Sequence, residues 1–132
     1  MTYLYPKHPA ICWCLLPWFM EGNQTRQEIF LELYARLEQD PDNTYVVVAL
    51  DGDVCHGFMV AYKDEDEIWV WQAKALRDFG KTKEVVEHLT AWAKERGATI
   101  IKGQCSKDRN TRLIMRRFGF KKSGNTIQRN IA

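Results

Sequence analysis

Between residues 44 and 105 the apolar pattern changes period twice, and this constrains the fold more than any other feature of the chain. Thr44 to Leu50 is a dense β-branched run, Asp51-Gly52-Asp53 offers turn chemistry, and Val54 to Tyr62 reads as the return strand of a hairpin. Lys63 to Asp66 is a charged turn, and Glu67 to Ala73 a further strand rich in aromatic residues. From Lys83 to Arg96 the period becomes helical, with Val85, Val86, Leu89, Trp92 and Ala93 on one stripe and Gly97 placed for a left-handed C-terminal cap. Thr99 to Cys105 returns to strand. Strand, helix and strand in succession require a crossover, and so a parallel pair inside a sheet whose hairpins are antiparallel.

The flanks complete the outline. Thr25 followed by Glu28 can close a capping box, and Ile29, Phe30, Leu33, Tyr34 and Leu37 form the apolar stripe of a helix that ends before Pro41, with an acidic opposite face. Asp108 to Phe118 reads as a short helix stopped by Gly119, and a last strand is expected near Asn125 to Ile131. The chain of 132 residues, 45% hydrophobic and 27% charged, is therefore expected to form one α+β domain, with a mixed, mostly antiparallel sheet flanked by helices. Residues 1–24 are atypical. Ile11, Trp13 and Leu15 read as alternate apolar positions of a buried strand or extended segment.

The apolar stretch Ala10 to Met20 spans 11 residues with Pro17 inside it, well short of the ~20 needed to cross a bilayer, and it carries no basic leader. Four scattered cysteines are too few for a disulfide scaffold, which points to a reducing, cytoplasmic setting. His8, Cys12 and Cys14 are residue types that bind zinc, but a fourth ligand at finger-like spacing is missing, so no metal is expected.

The net charge of +2 conceals a dipole. Residues 1–66 hold 4 Lys/Arg against 11 Asp/Glu, net −7, whereas residues 67–132 hold 15 against 6, net +9. A basic half of this kind suits phosphate, in nucleic acid or in a phosphorylated cofactor. Lys107, Arg109, Arg112, Arg116, Arg117, Lys121 and Lys122 form its densest part, without a recognised nucleic-acid motif.

The segment that carries chemistry is Arg77-Asp78-Phe79-Gly80-Lys81-Thr82, between a strand and a helix. A helix start presents unpaired backbone amides and the positive end of the helix dipole, and a glycine lets an anion approach closely. Gly80-Lys81-Thr82 matches the end of a nucleotide P-loop, but that pattern needs glycine where Ala75 stands. Arg77 and Gly80 instead match two of the three fixed positions of the pyrophosphate loop of the GNAT family of N-acetyltransferases, Thr82 replacing its last Gly or Ala. Downstream, a strand and a short helix lead to Phe118-Gly119-Phe120, where Gly119 stands 39 residues after Gly80 and resembles the family's hydrophobic-Gly-Phe signature. Over about residues 25–131 the chain thus resembles that family.

The resemblance implies an acyl-CoA N-acyltransferase fold with a splayed parallel strand pair, Glu67–Ala73 beside Thr99–Cys105, and acetyl-CoA as cosubstrate in the cleft between them. The backbone around Gln72 to Lys74 would pair with the pantetheine arm, and the amides of Asp78, Phe79, Gly80, Lys81 and Thr82, flanked by Arg77, would hold the pyrophosphate. An amine would attack the thioester directly, which requires proton removal and oxyanion stabilisation. The acidic first half suits a cationic acceptor: a polyamine, a lysine or a protein amino terminus. A homodimer is compatible with this reading; a membrane or nucleic-acid partner is not part of it.

Two positions depart from the family. Met115 stands where many members carry a Tyr that protonates the leaving thiolate, and Asp108 where an Asn is usual. These departures keep a second reading open, a weakly active or inactive binding or assembly protein, and compact chains of this type also resemble acetyltransferase-like proteins of bacteriophages. Glu65, Asp66, Glu67 and His56 are candidate bases without a geometric argument, and no catalytic residue is assigned. His88 is expected to be exposed, Cys105 to pack as a small buried residue, and Trp18-Phe19-Met20 to join the core.

Overall fold

The computed structural model describes residues 2–74, 79–104, 113 and 115–132, with residues 79–82 described as backbone. Arg77, Asp78, Cys105, Lys107, Asp108, Arg109 and Arg112, invoked above, lie outside the described residues. The elements run β1 (Thr2–Leu4), α1 (Ile11–Leu15), α2 (Arg26–Gln39), β2 (Thr44–Asp51), β3 (Val54–Asp64), β4 (Glu67–Lys74), α3 (Phe79–Glu95), β5 (Ile100–Gln104), β6 (Lys121–Ser123) and β7 (Thr126–Asn130). Short 3-10 turns occupy Leu16–Trp18 and Pro41–Asn43. The strands form one mixed sheet in the order β1-β2-β3-β4-β5-β7-β6, in which β4 and β5 are parallel and the other described pairs antiparallel.

Alternation along the strands sends side chains to two cores. Tyr45, Val47, Ala61, Ile68 and Ile101 meet Val85, Val86, Leu89 and Ala93 of α3 on one face. Val46, Val48, Phe58 and Val60 meet Cys12, Leu15, Ile29, Leu33 and Leu37 of α1 and α2 on the other. The α2 start is the expected capping box: Thr25 Oγ1 accepts from the Glu28 amide at 3.2 Å, and Glu28 Oε1 accepts from the Thr25 amide at 3.1 Å.

The glycine signals have a shared geometry. At the end of α3 the amides of Gly97 and Ala98 donate to the carbonyls of Lys94 and Ala93, with Gly97 at φ 75°. At the end of the last helical turn those of Gly119 and Phe120 donate to Arg116 and Met115, with Gly119 at φ 86°. Both are Schellman stops, in which a left-handed residue without Cβ lets the following apolar residue fold back into the core. The Gly-Phe signature thus seats Phe120 beside Met115 on the α3 side.

Four expectations change. Ile11–Leu15 is helical, not extended: Cys12 and Leu15 are buried three residues apart while Trp13 is 65% exposed, a helical phase that five residues cannot distinguish from alternation. Helix α3 begins at Phe79 rather than near Lys83, so Phe79, Gly80, Lys81 and Thr82 form its first turn instead of a loop. The chain after Gly119 makes a hairpin, β6–β7, where one strand was expected, and Thr2–Leu4 adds an unexpected edge strand to β2. Of Trp18-Phe19-Met20, Phe19 enters the core whereas Trp18 and Met20 stay exposed, because Trp18 ends the 3-10 turn and the backbone is extended at Phe19, so neighbouring side chains point apart.

Candidate functional site

The parallel pair β4–β5 has a closed end and an open end. Pairing runs from Glu67 with Ile100 to Val70 with Gly103. At the closed end the Thr99 amide donates to the Asp66 carbonyl at 2.8 Å, Lys102 Nζ lies 2.6 Å from Glu67 Oε1, and Trp69 Nε1 donates to Glu67 Oε2 at 3.0 Å. The hydrogen bond from Lys102 holds the Glu67 carboxyl below the usual carboxylate range, with Trp69 adding to it. Glu67 is therefore committed to this clamp, and it lies three residues before Val70, ~10 Å back along the strand.

Beyond Val70 and Gly103 the pair parts. β4 continues to Lys74 against β3, with Lys74 opposite Phe58, while β5 continues against β7, with Gln104 opposite Thr126. The cause lies in the β3–β4 register. Val60 pairs with Gln72 and Ala61 with Val70, leaving Trp71 as an extra residue, a β-bulge that bends and twists the strand away from its neighbour. The inner edge of β4 from Trp71 to Lys74 thus leaves the β5 ladder, and α3, the next described element of the chain, opens with backbone amides that no intrahelical carbonyl can satisfy. A slot between two strand edges, next to a helix start, suits an extended amide-containing chain that ends in phosphate.

The bulge also reorients side chains. Ile68 and Val70 face α3, but Trp71 joins the α1/α2 core and the next residue, Gln72, turns to the same side. Gln72 is 8% exposed; its Oε1 accepts from the Met20 amide at 2.9 Å and its Nε2 donates to the Met20 carbonyl at 3.3 Å. The Lys74 ammonium sits 3.5 Å from the Trp18 ring centre, and Trp71 Nε1 donates to Gln24 Oε1 at 3.2 Å. The segment Trp18–Gln24 therefore walls one side of the open end. Sequence reasoning named Gln72 and Lys74 for their backbones and missed this wall. A polar residue at the α3-facing phase, after Ile68 and Val70, was the available sign of the bulge.

The other candidates lie elsewhere. His56 is exposed beside Asp51, at 3.7 Å, and Glu65 and Asp66 form the turn at the closed end. His88 is largely exposed, as expected, but is partnered: it stacks on Tyr5 with ring centres 3.8 Å apart, and its Nδ1 lies 2.9 Å from the Tyr45 hydroxyl. Burial pushes its pKa down. His8 Nδ1 accepts from the Ala10 amide, Cys12 is buried with its thiol pushed up to about 11, and Cys14 is exposed, so these three do not converge. Arg116, Arg117, Lys121 and Lys122 are exposed around the Gly119 stop. Among the described residues no helix is long and apolar enough to cross a membrane.

The comparisons agree with this geometry. The family model for the acetyltransferase (GNAT) family matches residues 9–120, so it takes in α1 and most of the segment that was unrecognised from sequence. No curated protein matches the chain by sequence. Among solved structures, the chain is similar to the ribosomal-protein-S18-alanine N-acetyltransferase from Escherichia coli, with TM-score 0.71, 10% identity, and 99% of this chain and 94% of that chain covered. It is also similar to the aminoglycoside 6'-N-acetyltransferase from Enterococcus faecium, with TM-score 0.66, 15% identity, and 100% and 98% covered. A third is the PaiA N-acetyltransferase from Thermoplasma acidophilum, solved in complex with coenzyme A, with TM-score 0.64, 10% identity, and 98% and 99% covered. The likeness to bacteriophage proteins finds no support in these comparisons. With a splayed parallel pair, a bulged β4 and a family match over residues 9–120, the chain belongs to the GNAT acetyltransferase family, whose cosubstrate is acetyl-CoA.

Proposed function

We propose that the protein transfers an acetyl group from acetyl-CoA to an amine by direct attack on the thioester. The observation that carries this reading is the parting of β4 from β5 after Val70 and Gly103, beside the first turn of α3. The free edge at Gln72, Ala73 and Lys74 would hold the pantetheine arm, and the amides of Phe79, Gly80, Lys81 and Thr82 the pyrophosphate, with Arg77 and Asp78 preceding them in sequence. The cosubstrate supplies an activated acyl group: a carbon–nitrogen bond forms to the amine, the carbon–sulfur bond breaks, and the sulfur leaves as thiolate. A free thiol has a pKa of ~8.5, so this departure near neutral pH does not depend on a proton donor, which accommodates Met115 in place of Tyr. Met115 packs against the α3-side core, consistent with a structural task.

The protein's own tasks are then to align the acceptor and keep its nitrogen unprotonated. The segment Trp18–Gln24, which touches the bulge through three side-chain contacts, is the acceptor-side wall. It belongs to the acidic half, net −7 over residues 1–66, which supports a cationic acceptor, either a small amine or a protein amino group. The free thiols of Cys12, Cys14 and Cys55 support work in a reducing compartment.

The test is thiol release from acetyl-CoA over a panel of acceptors: spermidine, a lysine peptide and a peptide with a free amino terminus. Turnover with at least one of them above the rate without acceptor is the expected result. Binding of acetyl-CoA with no acceptor-dependent release across the panel and a wider set of amines would contradict the enzymatic reading.

A further inference from the structure

Among the described residues, Thr44 and Gln72 are the buried polar side chains, and the amide of Gln72 is committed entirely to Met20. With an acceptor and a donor on one residue's N–H and C=O, it takes the place that a peptide group of a neighbouring strand would fill. Its neighbours extend the pattern. Residues 71, 72 and 74 hold residues 24, 20 and 18, in reversed order, so the wall runs antiparallel to the bulged strand and is held by side chains instead of a backbone ladder. Arg26 fastens the middle of the wall from α2, its Nε donating to the Phe19 carbonyl at 3.1 Å, and Phe19 is buried. Trp18 and Met20, which flank Phe19, are 43% and 67% exposed. The wall is thus a pinned segment that presents two large apolar side chains to solvent.

Resting on the acetyl-CoA reading, the backbone of Gln72 faces the cosubstrate while its side chain holds the wall. We infer that Gln72 is a positioning residue that couples the two: filling the cleft fixes the bulged edge of β4, which fixes the Gln72 amide and with it the backbone at Met20. The acceptor wall is then fully ordered when the cosubstrate is in place, and by thermodynamic linkage an acceptor resting on the wall tightens the cosubstrate by the same factor. Trp71 and Lys74 support the wall, but each touches a side chain; Gln72 alone of the three bonds its backbone.

The test follows the Met20 amide by hydrogen exchange in the full chain, with and without saturating acetyl-CoA, and measures acetyl-CoA affinity by calorimetry on the same samples. In the native protein, exchange at Met20 should slow by about tenfold when acetyl-CoA is added. In Gln72→Leu, Met20 should exchange fast in both conditions while circular dichroism stays native. Gln72→Glu keeps the acceptor but lacks the donor near neutral pH, so its protection should be intermediate and should approach the native value as pH falls and the new carboxyl protonates. That pH response separates positioning from mere filling of space, and it serves if Gln72→Leu fails to fold. Acetyl-CoA binding that leaves Met20 exchange unchanged in the native protein would overturn the coupling alone, as would native protection in a folded Gln72→Leu. Absence of any acetyl-CoA binding would instead overturn the functional reading on which the coupling rests.

Discussion

From Glu67 to Val70, β4 is bonded along both edges; from Trp71 to Lys74 it is bonded along one. The closed end is held by the Glu67–Lys102 pair, the Thr99 amide on Asp66, and the buried Ile68 and Ile101 beneath α3. The open end has a bulge, a buried amide aimed at a loop backbone, and the start of a helix. One strand pair thus differs along its length: half of it carries stability, and the other half lacks ladder bonds along one edge, the edge proposed to bind the cosubstrate. The difference originates in a single extra residue, Trp71.

That division can be broken directly. Deleting Trp71 should restore a regular β3–β4 register, with Gln72 still opposite Val60 on the α1/α2 face, straighten the β4 edge against β5 and abolish acetyl-CoA binding; a folded deletion variant, checked by circular dichroism, that still binds would show that the bulge does not make the cleft. At the closed end, Ile68→Ala removes a fully buried side chain and should cost about 2–5 kcal/mol in denaturant unfolding, while the folded fraction still binds acetyl-CoA. Loss of binding without loss of stability would place Ile68 in the wrong half.

Smaller effects sharpen the same contrast. Glu65, in the turn that leads into the closed end, has φ 54°, a left-handed conformation that costs a residue with a Cβ. Glu65→Gly should therefore raise stability by about 1 kcal/mol with cosubstrate affinity unchanged, as read by thermal unfolding and calorimetry. Acid should loosen the closed end. The folded-state pKa of Glu67 is depressed, so the stability it contributes is present above the unfolded value of 4.5 and is lost as pH falls through the lower folded value. Gln at this position should flatten that limb of the stability–pH curve; the effect is slight because the pair is only partly buried and solvent screens it.

Much of the fold was legible because strong local signals agreed with tertiary packing. The Thr25 cap, the Asp51-Gly52-Asp53 hairpin and the helical stripe from Val85 to Ala93 each occur where the residues point. Ile11 to Leu15 was not legible, since an alternating reading and a helical one share most of their positions over five residues. The candidate site was half legible. Chemistry written in backbone amides leaves a trace in glycine and in element order, which is how Gly80 came to be proposed and the parallel pair was found. Contacts between distant segments leave none, so the Met20 partner of Gln72, 52 residues away, could not be read from either residue. The family model's match from residue 9 and the packing of α1 on α2 also give the first twenty residues a place that their composition did not suggest.

The central claim, that the open end of the β4–β5 pair with the α3 start binds acetyl-CoA, is tested most directly by calorimetric titration of acetyl-CoA into the native protein and Gly80→Glu. A glutamate in the first turn of α3 favours the helix itself, so the substitution should leave the fold intact while placing a carboxylate in the phosphate position. The account predicts micromolar affinity in the native protein and a loss of about 100-fold or more, ~2.8 kcal/mol, in the variant. Equal affinity in the two proteins would contradict it.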